Sequence, residues 1–189
     1  NLSPKKELIK SKIKIFSIAI FGKPNVGKST MLNTILGFKR SNTSAYPGTT
    51  SDYIEDYFLY NKQNIKIIDT AGIQRKSNIK NKSVIYYSIK KSFDKIHKVN
   101  LALLLIDAKK GLDRQDKRII KQISDKSKRI LIIFNKMDLI KDKTNYKKET
   151  IQDMYYNIHQ VKNIKLFFIS ALNKKSINDL LKYIDNNIL

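Results

Sequence analysis

Short apolar runs alternate with amphipathic segments along most of this chain. The runs have the length and β-branched content of buried strands, and they lie at 13–21, 101–106, 129–134 and 164–169. Apolar residues at helical spacing predict helices over 28–38, about 82–98, 113–125, near 147–159 and near 176–187. Two more runs, 52–60 and 65–69, flank the polar segment "NKQN" and predict a β-hairpin.

After the hairpin, predicted strands and helices alternate. This order is typical of an α/β fold with a mostly parallel sheet and helices on both faces. We expect six strands, one of which is an antiparallel edge strand contributed by the hairpin. Ligands of such folds bind at the carboxyl ends of the strands, so functional residues are expected directly after strands.

The segment "GKPNVGKS" (22–29) lies between the first predicted strand and the first predicted helix. It fits the pattern G-x-x-x-x-G-K-[ST], in which glycines let the backbone wrap around phosphate oxygens. Backbone N–H groups and the helix N-terminus supply positive potential there. Lys28 is expected to reach the β- and γ-phosphates, and the Ser29 hydroxyl to bind Mg²⁺. The predicted phosphate-binding residues are Gly22, Lys23, Pro24, Asn25, Val26, Gly27, Lys28, Ser29 and Thr30.

A second set of phosphate-site candidates follows the hairpin. Asp69 ends an apolar strand and begins the segment "DTAG". A carboxylate in this place can hold a Mg²⁺-bound water, and the Gly72 N–H can meet the γ-phosphate. Thr50, in the loop segment "PGTT", is placed to complete the Mg²⁺ shell. The remaining candidates of this set are Thr70, Ala71 and Ile73.

Two later segments predict a base site. In "NKMD" (135–138), Asp138 can accept hydrogen bonds from the N1–H and the exocyclic amine of guanine, whereas adenine would leave the carboxylate unpaired. Asn135 can bind the base edge and tie nearby loops together, and the Lys136 stem can lie over the ring. In "SAL" (170–172), the Ala171 N–H can donate to guanine O6. The remaining base-site candidates are Met137, Ser170 and Leu172.

Composition limits the class of protein. The chain has 189 residues, of which 41% are hydrophobic, and this suits one compact domain. It contains no cysteine, which excludes a disulfide framework, and its apolar runs are too short to span a bilayer. No apolar h-region begins the chain, so we expect no secretory signal and a cytoplasmic location.

The formal net charge is +22. A basic surface gains affinity for nucleic acid by releasing phosphate counterions, and the lysine-rich stretch 75–98 is the predicted contact surface. The alternative is a solvated helix face in a lysine-biased proteome, because Lys, Asn and Ile are abundant together while Arg is scarce. His97 and His159 have no carboxylate or cysteine cluster near them in sequence, and we interpret both as surface or packing residues.

The segments "GKPNVGKS", "PGTT", "DTAG", "NKMD" and "SAL" occur in the order and spacing of the translation-factor-like branch of the P-loop GTPases. Over roughly 13–188, the chain resembles the Der family of bacterial ribosome-biogenesis GTPases, also called EngA. "DTAGIQRKSNI" and the segment after it resemble the second of that family's two tandem G domains. The chain departs from the family at Ser51 (usually Arg), Met137 (usually Trp) and Gln74 (usually basic).

The resemblance implies a Ras-like G domain that binds GTP or GDP, hydrolyses GTP with Mg²⁺ and acts in assembly of the large ribosomal subunit. It implies that 1–12 is the end of a basic linker and that 13–189 is one G domain. The family's first G domain is then expected before it and a KH-like domain after it. The implied partners are the ribosome or its RNA and the other domains of the same protein, without a membrane and without DNA specificity.

Ile73 stands where Ras-like GTPases have a glutamine that orients the attacking water. Related GTPases of this branch use K⁺ held by a P-loop asparagine, and Asn25 occupies that position, so the resemblance implies K⁺-stimulated hydrolysis. A second hypothesis is that Gln74, one position later, orients the water. The catalytic candidates are Asn25, Lys28, Thr50 and Gly72.

Two other functions stay open at this point. The domain could be a nucleotide-gated module that binds RNA or a neighbouring domain and hydrolyses little GTP itself. It could also be a stand-alone relative of the Era-like or tRNA-modification GTPases. Turnover by the isolated domain separates the first of these from a GTPase switch.

Overall fold

The computed structural model describes residues 15–38, 54–69, 99–125, 129–158 and 164–189. The strands in these ranges are β1 (Phe16–Phe21), β2 (Ile54–Tyr60), β3 (Gln63–Asp69), β4 (Leu101–Asp107), β5 (Arg129–Asn135) and β6 (Lys165–Phe168). The helices are α1 (Lys28–Phe38), α2 (Arg114–Asp125), α3 (Lys143–Asn157) and α4 (Lys174–Asn187), with a short 3-10 helix at Met137–Leu139. The predicted helix at 82–98 and the predicted linker at 1–12 lie outside the described residues.

The six strands form one sheet in the order β2-β3-β1-β4-β5-β6. β2 pairs with β3 in the antiparallel sense, and the other four pairings are parallel. The predicted mostly parallel sheet with an antiparallel edge strand is therefore confirmed. β1 lies between β3 and β4, so the strand order reverses direction at β1. The carboxyl end of β1 is the place where folds of this kind bind their ligands.

The two faces of the sheet pack against different helices. On β4, Leu103 and Leu105 point to the face covered by α1 and α4, while Leu104 and Ile106 point to the face covered by α2 and α3. Successive strand residues alternate between faces, and every residue of β4 is buried, which accounts for the apolar sequence from Leu101 to Ile106 that precedes Asp107. Helices on both faces were predicted and are confirmed.

The hairpin turn is tighter than the sequence predicted. Its two turn residues, Asn61 and Lys62, have φ of 45° and 66°, and Tyr60 pairs directly with Gln63. Two consecutive left-handed residues form the turn whose twist matches that of the flanking strands. Gln63 and Asn64, predicted as turn, therefore belong to β3.

Capping side chains move two helix starts towards the N-terminus. Asp142 accepts a hydrogen bond from the Asn145 N–H, so α3 begins at Lys143 rather than near 147. Asn173 caps α4 in the same way, and that helix begins at Lys174 rather than near 176. Gly37, the predicted stop of α1, lies inside the helix, one residue before its end. In the described part of the chain, none of the helices has the length and hydropathy that crossing a bilayer requires.

Candidate nucleotide-binding site

The loop between β1 and α1 holds backbone conformations that favour glycine. Gly22 has φ of 144° and Gly27 has φ of 101°. A Cβ on Gly22 would lie 2.5 Å from the Leu105 carbonyl oxygen, and a Cβ on Gly27 would collide with the Asn135 amide. Both glycines therefore allow a turn and a close approach that larger residues would prevent. The loop lies at the carboxyl end of the central strand, where the phosphate site was predicted.

Lys28 closes this loop from inside. Its ammonium donates to the carbonyls of Gly22, at 2.7 Å, and Lys23, at 2.6 Å, and the residue is only 5% exposed. Its charge is thus held at the centre of the loop, next to the N-terminus of α1. A buried cation beside backbone N–H groups is suited to binding phosphate.

Asn135, the last residue of β5, joins three segments at this edge of the sheet. Its Nδ2 donates to the Val26 carbonyl at 2.8 Å, and its Oδ1 accepts from the Ala171 N–H at 2.8 Å. Asn135 is 1% exposed, so both bonds are sheltered from water. The predicted loop-tying role of Asn135 has this geometry. The Ala171 N–H was also predicted to donate to guanine O6. In that case guanine O6 and Asn135 Oδ1 would accept from the same N–H group.

Lys136 adopts a left-handed conformation with φ of 66°. Its ammonium donates to the Asn25 carbonyl at 2.7 Å and to Asp107 Oδ2 at 2.7 Å. Burial acts to raise the pKa of Asp107, but the hydrogen bond from Lys136 and the Lys109 N–H outweigh it and hold the pKa below its usual value. Asp107 was missed by the sequence analysis, although its place at the end of an apolar strand was a usable signal.

Lys23 turns its side chain away from the loop. Its ammonium lies 2.7 Å from Asp113 Oδ2 and 2.8 Å from Asp116 Oδ2, at the start of α2. Partial burial acts to lower the Lys23 pKa, but hydrogen bonds to both carboxylates raise it overall. Burial also acts to raise the pKa of Asp113, and Lys23 outweighs it and lowers that pKa to about 2. The sequence analysis named neither aspartate.

The base-site candidates lie on two adjacent loops. Met137 is buried, and its N–H donates to the Ile169 carbonyl at 3.0 Å, which brings the "NKMD" loop against the "SAL" loop. Asp138 is exposed in the 3-10 helix, and Leu172 is 75% exposed in the neighbouring loop. An exposed carboxylate with apolar residues around it can bind the polar edge of a ring that stacks beside it.

The metal candidates are only partly described. Ser29 lies in the first turn of α1, and Asp69 ends β3 opposite Ile20 in the strand register. Both therefore lie at the carboxyl edge of the sheet, and a hydroxyl and a carboxylate are oxygen donors of the kind that Mg²⁺ binds. Thr50, Thr70, Ala71, Gly72 and Ile73 lie outside the described residues, as do Gln74, His97 and His159.

Comparison with known proteins adds a family assignment. The family model described as "50S ribosome-binding GTPase" matches residues 17–136. GTPase Der of Chlorobium phaeobacteroides is 41% identical over 160 residues, which cover 85% of this chain and 37% of that protein. GTPase Der of Thermosipho africanus is 35% identical over 184 residues, which cover 97% of this chain and 42% of that protein. The chain thus spans about two-fifths of the length of these relatives.

Solved structures give the same fold. A crystal structure of an Era variant from Aquifex aeolicus bound to GDP and aluminium fluoride matches with a TM-score of 0.70 and 28% identity, covering 93% of this chain and 57% of that one. Era in complex with MgGDPNP and a segment of 16S ribosomal RNA matches with a TM-score of 0.69 and 25% identity, covering 94% and 58%. The predicted resemblance and the P-loop GTPase fold are confirmed.

Proposed function

Because the chain belongs to the family of 50S ribosome-binding GTPases, we propose that it binds GTP and GDP and hydrolyses GTP as a molecular switch. The observation that carries the proposal is the placement of Lys28 and Asn135. Lys28 holds its charge inside the phosphate loop, and Asn135 ties that loop to both predicted base segments. Phosphates and base would then be bound by one connected edge of the sheet.

The phosphates would be bound by the loop 22–27 and by Lys28. Lys28 exchanges its two carbonyl partners for phosphate oxygens, which is favourable because a charged pair replaces two neutral acceptors. Ser29, Thr50 and Asp69, the last through a water, would hold Mg²⁺. When bound, this ion neutralises charge on the β- and γ-phosphates. Gly72 would offer its N–H to the γ-phosphate.

Hydrolysis would rest on Asn25 rather than on a glutamine. Ile73 has no group that can hydrogen-bond a water. Asn25 is exposed and left-handed, with φ of 65°, and its carbonyl is fixed by Lys136, so its side chain is free to turn towards a cation at the phosphates. A bound K⁺ there would supply positive charge where the transition state gains negative charge.

GTP turnover in KCl and in NaCl at equal ionic strength, both with Mg²⁺, tests this proposal. We expect turnover in KCl that falls strongly in NaCl, and an Asn25→Ala variant that no longer responds to K⁺. A Gln74→Ala variant serves as the matched comparison and is expected to keep full turnover. GTP binding without turnover in either salt would instead identify a nucleotide-gated binding module.

Guanine selectivity would come from Asp138. A carboxylate accepts two hydrogen bonds from the N1–H and amine of guanine, whereas xanthine offers a carbonyl in place of the amine. An Asp138→Asn variant is therefore expected to lose GDP affinity and gain affinity for xanthosine diphosphate. Binding of both nucleotides to the unaltered chain and the variant, followed by fluorescence competition, measures the exchange. Unchanged preference would contradict this base site.

We also propose a cytoplasmic role in assembly of the large ribosomal subunit. The support for the large subunit is the family description and the similarity to GTPase Der. The similarity to an Era complex with 16S ribosomal RNA and the net charge of +22 support RNA binding in general. Binding to large-subunit RNA should weaken steeply with salt. Charge reversal at Lys80, Lys82, Lys90 and Lys91 is expected to weaken it and to flatten its salt dependence. Unchanged affinity would favour genomic lysine bias as the origin of the charge.

A further inference from the structure

We propose that Lys23 positions the phosphate-binding loop through an ion-pair bridge to the start of α2, and that its ammonium is not a phosphate ligand. The inference rests on the proposed nucleotide site. It concerns a residue of the phosphate loop whose side chain the motif leaves unspecified. Its partners, Asp113 and Asp116, lie outside the predicted nucleotide-binding segments of the sequence.

The bridge holds the lysine with two carboxylates at once. Lys23 Nζ lies 2.7 Å from Asp113 Oδ2 and 2.8 Å from Asp116 Oδ2. The Asp116 side chain is fully buried, and the Lys23 side chain is 19% exposed. The Asp113 side chain is half-exposed, so the buried Asp116 supplies the part of the bridge that is screened less than a surface ion pair.

The carboxylates are themselves fixed by the helix start. Asp113 Oδ1 accepts from the N–H groups of Gln115 and Asp116, at 2.9 and 3.0 Å, and Asp116 Oδ2 accepts from the Asp113 N–H at 3.2 Å. This reciprocal arrangement is a capping box built from two aspartates. The anchor for Lys23 is therefore a rigid helix terminus rather than a mobile surface group.

Lys23 connects this anchor to Lys28. Its side chain points to α2, while its carbonyl accepts a hydrogen bond from Lys28 Nζ at 2.6 Å. Shifting Lys23 would thus shift an acceptor that holds the principal phosphate-binding cation. Within the described residues, Asp116 Oδ1 has no hydrogen-bond partner. Loss of Lys23 would leave the buried Asp116 carboxylate with the Asp113 N–H but without its cation, whereas loss of the Asp116 charge would leave Lys23 paired with Asp113.

The bridge and a direct phosphate contact predict opposite effects of neutralising the aspartates. If Lys23 bound phosphate, removing a competing carboxylate would free it, and removing negative charge near the site would favour anions. Asp113→Asn and Asp116→Asn would then bind GDP more tightly. If Lys23 is a positioning residue, the same substitutions release the loop and weaken binding. Asn at 113 still caps the helix, so that variant isolates the loss of charge.

Dissociation constants for fluorescently labelled GDP, measured on the 189-residue chain, decide between the bridge and a direct phosphate contact by Lys23. We expect Lys23→Met, Asp113→Asn and Asp116→Asn each to raise the dissociation constant, by about tenfold for the buried Asp116. Lys23→Met combined with Asp113→Asn should add little to either change alone. Lys23→Arg, which keeps donors for both carboxylates, should restore binding to within about threefold.

Lys121→Met, an exposed lysine on α2, is the control for loss of one positive charge and should bind as the unaltered chain does. Melting temperatures identify an Asp116→Asn chain that has failed to fold, in which case the half-exposed Asp113 decides the question. Tighter or unchanged GDP binding by Asp113→Asn would overturn the bridge while leaving the nucleotide site intact. Failure of the unaltered chain to bind GDP would contradict the site and the bridge together.

Discussion

The ammonium of Lys136 lies 2.7 Å from Asp107 Oδ2 and donates to the Asn25 carbonyl at the same distance. Lys136 follows β5, Asp107 ends β4, and Asn25 lies in the phosphate loop after β1. One lysine therefore fixes the relative positions of three strand ends. Because Asp107 is buried and Lys136 is half-buried, the pair is sheltered from most of the solvent screening that weakens surface ion pairs.

The first prediction concerns that pair. Asp107→Asn removes the charge that orients Lys136, and we expect the dissociation constant for GDP to rise about fivefold. Electrostatics alone would lower the dissociation constant, because the substitution removes negative charge near a phosphate site. Isothermal titration with GDP measures the change. Asp125→Asn, at the exposed end of α2, is the charge-matched control, and equal or tighter binding by Asp107→Asn would refute the orienting role.

Asn135 should matter for stability even without nucleotide. Asn135→Ala leaves the Val26 carbonyl and the Ala171 N–H buried without a partner, so the free energy of unfolding should fall by about 2–4 kcal/mol. Urea unfolding followed by circular dichroism measures it. Asp138→Ala, in the same motif but exposed, should change stability by less than about 0.5 kcal/mol. Similar losses in the two variants would show that Asn135 does not tie the loops.

Replacement of Gly27 and of Gly37 by alanine should change the free energy of unfolding in opposite directions. Gly27→Ala places a Cβ against the Asn135 amide at φ of 101°, so we expect a loss of about 2 kcal/mol and weaker GDP binding. Gly37→Ala faces open space inside α1, so a gain of about 0.5–1 kcal/mol is expected. Thermal melts of both chains provide the measurement. A stable Gly27→Ala chain would mean that the loop relaxes away from Asn135.

Acid should remove the contribution of Asp113. Its pKa in the folded chain is about 2, below the ordinary 3.8, because Lys23 outweighs the effect of burial. Because the Asp113 pKa is lower in the folded chain than in the unfolded chain, ionised Asp113 stabilises the fold above pH 4. That stabilisation is lost as the pH falls towards 2. Asp113→Asn lacks this term, so the unfolding free energies of the two chains should differ by about 1 kcal/mol at neutral pH, after allowance for a half-exposed group. They should converge in acid.

Urea titrations between pH 2 and pH 7 test this convergence. Asp116 titrates in the opposite sense, since burial raises its pKa and the Asp113 charge adds to that rise. A difference that stays constant down to pH 2 would show that the Lys23 pair does not lower the Asp113 pKa.

Periodicity determined most of the fold. The runs that became β1, β4 and β5 are mostly apolar because these strands are almost wholly buried, and their short length favours a strand over a helix. β6 lies at the edge of the sheet and is only partly buried, with Lys165 exposed. Element ends were less accurate, as at α3, because one capping hydrogen bond, donated by the Asn145 N–H to Asp142, extends the helix beyond its apolar stripe. The motif glycines, Lys28 and Asn135 could be assigned because their chemistry needs fixed residue types at fixed spacing.

The sequence by itself determined the family and the order of most strands and helices, and it predicted the class of site and its candidate ligands. Only the tertiary structure decided what holds them in place. Asp113 and Asp116 are ordinary charged residues in sequence. Asp107 is marked by its place at the end of an apolar strand, but nothing local identifies Lys136 as its partner. An ion pair needs two groups within a few ångströms, and residues far apart along the chain reach that distance only when strand order and helix docking bring their elements together.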